Sequence, residues 1–217
     1  MQHARRHADP SGQVCELCTA DATSRRTMLR GALGAAVGAV ICATGLPLPG
    51  VDLSASAHGG QDDEAARRPQ PGDLLVRTSD QAATPLRLDD IGAGAPTLAW
   101  AVDPATRTVR NGSRFNQVLL LKLDHATLSP ETQARAASGV VAYSVICPHS
   151  GCDATDWMAA EQRLLCACHS SIFDPKDGAR VVDGPAPRNL PALPLSVNDG
   201  QLAVAGGFSD KVGFEAA

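Results

Sequence analysis

Residues 147–173 open with Cys147-Pro148-His149-Ser150-Gly151-Cys152 and close with Cys166-Ala167-Cys168-His169-Ser170-Ser171-Ile172-Phe173. This short span holds four of the chain's seven cysteines and two of its six histidines. Thiolates and imidazoles are the side chains that borderline and soft transition metals prefer. A Cys/His cluster with this spacing therefore reads first as a metal site. A structural zinc site, with two Cys and two His, is one solution. It leaves no use for the second cysteine at a fixed offset inside each hook.

The two hooks resemble the patterns C-x-H-x-G-C and C-x-C-H-x-S of Rieske proteins, where one iron is held by two thiolates and the other by two imidazoles. The resemblance is strong over about residues 140–195 and weak elsewhere. It implies one [2Fe–2S] cluster per chain, with Cys147 and Cys166 on the inner iron and His149 and His169 on the outer one. It also implies a disulfide between Cys152 and Cys168 that ties the two loops together. Gly151 would permit the tight turn beside the cluster. Zinc remains the alternative on the residues alone.

Within the family, the extra cysteine pair resembles the respiratory branch: cytochrome bc-type Rieske subunits and the small subunit of arsenite oxidase. Gly184-Pro185-Ala186-Pro187-Arg188-Asn189-Leu190-Pro191 resembles the proline loop that covers the cluster in the cytochrome bc group. Ser171 matches the family serine whose hydroxyl bonds a bridging sulfide and raises the potential. Where cytochrome bc-type proteins often carry a tyrosine, this chain has Phe173, as does the arsenite oxidase subunit. The segment 141–147 also resembles that subunit's lead-in. Imidazole ligation implies a potential in the range of about −150 to +300 mV, against roughly −400 mV for plant-type all-Cys ferredoxins.

The resemblance thus implies one-electron transfer in an exported oxidoreductase complex. One form is an arsenite oxidase-like small subunit, taking electrons from a large molybdenum subunit to a c-type cytochrome or a cupredoxin. The other is the Rieske subunit of a quinol–cytochrome c reductase, beside cytochrome b and c1-type subunits. No Ser/His/Asp set, phosphate loop or paired-carboxylate motif points to a catalytic site of the chain's own.

Working outward, Thr23-Ser24-Arg25-Arg26-Thr27-Met28-Leu29 matches a twin-arginine (Tat) export signal. An uncharged Ala/Gly-rich run follows over residues 31–51, then Ala55-Ser56-Ala57, a small-residue cleavage site. Cleavage would release the protein into the periplasm. Retention of the run would anchor it to the inner membrane. Cys15 and Cys18 form a C-x-x-C, read as part of a discarded leader, and Cys42 is read as passive. The expected division is a leader over 1–57, a flexible tether over 58–72 and the cluster-bearing domain over 73–217.

Aromatic residues make up only 3% and the net charge is −4, which argues against a nucleic-acid partner. Beyond the tether the apolar runs are short and bounded by turn residues. Strands are expected at 74–77, 86–88, 98–102, 118–123, 140–146, 163–165, 193–197 and 201–204. Asn198-Asp199-Gly200 signals a hairpin and Asn111-Gly112 a tight turn. One short helix is expected after Ser129 and Pro130, running to residue 137. His125 reads as an exposed loop histidine, and Trp100 and Trp157 as packing residues. Many short strands with little helix indicate an all-β fold. The resemblance specifies an antiparallel β-sandwich with a small cluster-binding subdomain.

Overall fold

The computed structural model describes residues 59–214. The twin-arginine motif, the run over 31–51, the cleavage site and Cys15, Cys18 and Cys42 all lie outside the described residues. In chain order the elements are α1 (Gly59–Ala66), β1 (Leu74–Arg77), β2 (Thr97–Val102), β3 (Val118–Lys122), α2 (Pro130–Gln133), β4 (Val140–Ser144), β5 (Asp156–Met158), β6 (Arg163–Cys166), β7 (Ser171–Asp174), β8 (Arg180–Asp183), β9 (Leu195–Asn198) and β10 (Gln201–Val204). No helix among the described residues is long and apolar enough to cross a membrane.

The strands form two antiparallel sheets. A six-stranded base has the order β4-β3-β2-β1-β10-β9, and a four-stranded sheet has the order β5-β6-β7-β8. The smaller sheet is inserted between β4 and β9, so both metal hooks belong to the insertion. β3 and β4 are the wall between two cores. Leu119, Leu121, Val141, Tyr143 and Val145 face a core shared with Leu164, Phe173, Cys147 and Cys166. Their neighbours Val118, Leu120, Val140 and Ala142 face a second core with Leu75, Ala99 and Leu202. Alternate residues of a strand point to opposite faces. With both faces covered, the apolar run need not alternate with polar residues. That is why Val118-Leu119-Leu120-Leu121 is continuously apolar and buried.

The β9–β10 hairpin turns at Asp199 (φ 51°) and Gly200 (φ 78°), the paired positive φ of a tight hairpin. In α2 the Ser129 hydroxyl accepts from the Thr132 amide, with Pro130 in the first turn, as expected. The helix ends at Gln133 rather than near 137, because Ala137 already bridges to Val140 around Ser138 and Gly139, both at positive φ. Residues 86–88 form only isolated bridges and the start of a 3-10 turn. Pro85 has no amide to donate, and the Asp90 carboxylate takes the Arg87 amide at 2.7 Å. β5, β7 and β8 carry no strong apolar signal of their own. β8 is an edge strand whose burial pattern is almost wholly exposed.

The expected tether over 58–72 is not free chain. Residues 59–66 are helical, and the segment is fastened to the base. Glu64 pairs with the buried Arg110 at 2.7 Å, and Arg110 also grips Asp73 through two nitrogens at 2.5 and 3.0 Å. The Asn116 amide donates to the carbonyls of Arg67 and Arg110 at 2.6 and 3.1 Å. The composition of the segment is polar, but its charges find a buried partner in Arg110, which composition cannot show. Gly112 belongs to the same junction. Its amide donates to the Ala65 carbonyl at 2.9 Å, and a Cβ there would lie 2.8 Å from the Ala66 nitrogen. His125 is exposed, and Trp100 and Trp157 are half-buried packing residues.

Candidate metal centre

Each hook leaves the end of a strand. β4 ends at Ser144, and Val145 and Ile146 lead from it to Cys147, whereas β6 ends on Cys166 itself. The first loop closes on itself: the Cys147 amide donates to the Cys152 carbonyl at 2.8 Å, and the Gly151 amide to the Cys147 carbonyl at 3.0 Å. Gly151 sits at φ +79°, where glycine carries no Cβ penalty.

The two loops meet in three rungs. Cys147 and Cys166 are both buried free thiols in one core. His149 and His169 meet edge to face, with ring centroids 4.6 Å apart. Cys152 and Cys168 are joined by a disulfide with 6.5 Å between Cα atoms. The sulfurs of Cys152, Cys166 and Cys168 lie within 4.8 Å of one another. The disulfide occupies two of them, so Cys166 is the one thiol of that group free to bind a metal.

Two features fit this site to a metal. The Nδ1 atom of His149 is buried and has no hydrogen-bond partner. Buried polar atoms are rarely left so, and a missing ion is one reason. Burial, then the neighbouring Cys147, pushes the Cys166 thiol up to about 11. Two thiolates side by side in this core thus need a cation beside them, which metal coordination supplies. The donor set is two thiols and two imidazoles.

The loop over 184–191 covers the second hook. Gly184 lies so close to it that a Cβ would stand 2.4 Å from Ser171 Cα. The Ser171 hydroxyl is fully buried and accepts from the Ala186 amide at 3.1 Å. That bond fixes the oxygen and leaves the hydroxyl proton free to donate. Phe173 is fully buried in the core that holds Cys147 and Cys166, on the same strand face as Ser171. Pro185 and Pro187, with Pro148, His149 and Arg188, line an open cavity of about 310 Å³.

The structure brings the two hooks, with Cys147, His149, Cys152, Cys166, Cys168 and His169, together with Ser171 and the 184–191 loop. It adds Arg114, which donates to the Gly151 carbonyl at 2.9 Å and pairs with Asp153 at 2.7 Å. It also adds Arg188, which donates to the carbonyls of Lys211 and Gly213 at 2.7 and 2.5 Å. Arg114 has no sequence signal, since an isolated arginine is ordinary surface, and Arg188 is marked only by its place in the 184–191 loop.

The family model described as the Rieske [2Fe-2S] domain matches residues 100–194, which include both hooks and the covering loop. The chain is 34% identical over 146 residues to the cytochrome bc1 complex Rieske iron-sulfur subunit of Streptomyces lividans, covering 65% of this chain and 85% of that one. Against the subunit of the same description from Streptomyces coelicolor it is 34% identical over 146 residues, spanning only 41% of that longer relative. A Rieske subunit assigned to a respiratory nitrate reductase in Haloferax mediterranei is 44% identical over 77 residues, 35% of this chain and 34% of that one. The zinc alternative gives way to the [2Fe–2S] cluster that this family carries. On these matches and the paired ligand set, the chain belongs to the Rieske iron–sulfur protein family.

Proposed function

We propose that this chain is the electron-transfer subunit of an exported respiratory oxidoreductase complex. In it Cys147 and Cys166 hold one iron of the cluster, and His149 and His169 hold the other. One observation carries the assignment: two buried thiols and two facing imidazoles close a single site between the loops. When bound, the [2Fe–2S] group takes up and releases one electron at a time.

The chain's own residues set the conditions. The thiols lie in the core, where water is excluded. His169 is exposed, and His149 borders the open cavity, so the imidazole side is where a partner can approach. The Ser171 hydroxyl, held by the Ala186 amide, has its proton available for a negatively charged sulfur. The disulfide and the covering loop hold the two hooks in register.

Two complexes fit. The relatives described as cytochrome bc1 subunits favour a quinol-oxidising complex with cytochrome b and c1-type subunits. Phe173 favours an arsenite oxidase-like complex, with a large molybdenum subunit and a c-type cytochrome or cupredoxin as acceptor. We take residues 1–57 as the twin-arginine leader or anchor and the remainder as the exported part, on the periplasmic side.

Iron and labile-sulfide assays on the purified full chain test the ligand reading. Two irons and two sulfides are expected, whereas one zinc and no iron would sink it. The complex is tested by isolating the tagged chain from its native membranes. Haem b with haem c identifies the first, and molybdenum identifies the second.

A further inference from the structure

We propose that residues 209–214 form a strap that holds the covering loop against the first metal hook, with Phe214 and Arg188 as its positioning residues. The proposal rests on the ligand assignment above. After β10 the chain crosses from the base sheet toward the metal centre. It is first fastened where the covering loop returns to β4: the Ser209 amide donates to the Ala192 carbonyl at 2.8 Å, and the Ala192 amide to the Ser209 hydroxyl at 2.9 Å.

Next the covering loop grips the strap. The Arg188 guanidinium donates to the Lys211 carbonyl at 2.7 Å and to the Gly213 carbonyl at 2.5 Å, with Asp210 at 3.6 Å. The planar fork suits two carbonyls at once, which an ammonium group cannot reproduce. Val212, between the two carbonyls in sequence, is buried. Gly213, at φ +101°, lies on the Phe115 ring, where a Cβ would come within 2.7 Å.

The strap ends on the first hook. The Phe214 ring lies against Gly151, and a Cβ at Gly151 would stand 2.6 Å from two of its carbons. Gly151 is thus held from two sides, by the Phe214 ring and by Arg114 on its carbonyl. The covering loop, strap and first hook form one closed chain of contacts, Arg188 to Gly213 to Phe214 to Gly151. Phe214 is still 42% exposed, so the base fold does not depend on it. Cutting the strap raises the population of a locally opened loop rather than of the unfolded chain.

The test uses the full cluster-loaded chain and excess EDTA. Loss of visible absorbance gives the rate of cluster release, and far-ultraviolet circular dichroism gives the unfolding midpoint. F214A is expected to lose its cluster roughly three- to tenfold faster than the parent at an unchanged midpoint. F214L, which keeps an apolar cap on Gly151, is expected to stay near the parental rate. R188K is expected to release faster, and F214A with R188A no faster than the worse single change, since both act on one element. A parental release rate in F214A overturns the strap. So does a double variant whose two effects multiply, or a fall in the unfolding midpoint in step with cluster loss. A parent chain without two irons overturns the ligand assignment instead.

Discussion

His149 and His169 come from loops twenty residues apart in sequence, yet their rings meet edge to face at 4.6 Å with planes 87° apart. The disulfide between Cys152 and Cys168 and the thiol pair Cys147 and Cys166 repeat the arrangement on either side of them. Each of the three pairs takes one member from each hook. Replacing His149 or His169 with Ser is expected to abolish the Rieske electron paramagnetic resonance signal of the reduced protein. A normal spectrum in the double variant would place the ligands elsewhere.

Ser171→Ala removes a buried hydroxyl whose oxygen the Ala186 amide already fixes. A hydrogen bond to a charged group contributes about 1.5–3 kcal/mol, and only its change between redox states counts. The midpoint potential is expected to fall by tens of millivolts, up to roughly 100 mV. Phe173→Tyr, on the same strand face, should raise it if the new hydroxyl reaches Cys147 sulfur. Protein-film voltammetry reads both. An unchanged potential in Phe173→Tyr removes Phe173 as a reason to prefer the arsenite oxidase-like complex.

Gly184→Ala places a methyl group 2.4 Å from Ser171 Cα at φ +87°. The left-handed backbone alone costs roughly 1–2 kcal/mol, and the clash must be relieved by moving the covering loop. Cluster release under EDTA is expected to quicken, with the Ser171 contribution to the potential partly lost. A crystal structure with the loop unmoved and an unchanged release rate would contradict the close packing.

Tyr143 is the chain's one tyrosine, and its hydroxyl donates to the Pro175 carbonyl at 2.8 Å, joining the base to the inserted sheet. Burial raises its pKa well above the ordinary phenol value. The neutral form is favoured when folded, so its stabilisation is intact below pH ~10, where the unfolded phenol titrates. It is lost as pH rises through the folded value. Tyr143→Phe should cost about 1–3 kcal/mol at neutral pH by leaving the carbonyl unpaired. It should also blunt alkaline unfolding. Denaturant titrations at neutral and alkaline pH measure both, and equal alkaline sensitivity in the two proteins would refute the assignment.

Arg110→Ala leaves the buried Asp73 carboxylate without its cationic partner and leaves Glu64 of α1 paired with the exposed Arg67. Breaking a buried pair from one side costs about 3–5 kcal/mol. Loss of that order in urea unfolding is expected, together with faster amide exchange across α1. A change below about 1 kcal/mol would mean the pair is as weak as a surface one.

The candidate ligand set stood out in the sequence because thiolate and imidazole chemistry is written in residue type and spacing. Cys147, His149, Cys166 and His169 needed no tertiary contact to stand out, nor did the long β3 and β4 runs or the Asp199-Gly200 turn. The tertiary structure decided what depends on contacts between distant residues. Residues 58–72 look like solvated tether until Arg110, buried beyond β2, takes Glu64 and Asp73 together. β7 and β8 are short and weakly patterned, and they become strands only through pairing with β6 and with each other. Arg114, Arg188 and Phe214 are ordinary surface residues in the sequence. Gly151 explains why: its empty Cβ position could signal a turn, but only the folded chain shows that the Phe214 ring fills it.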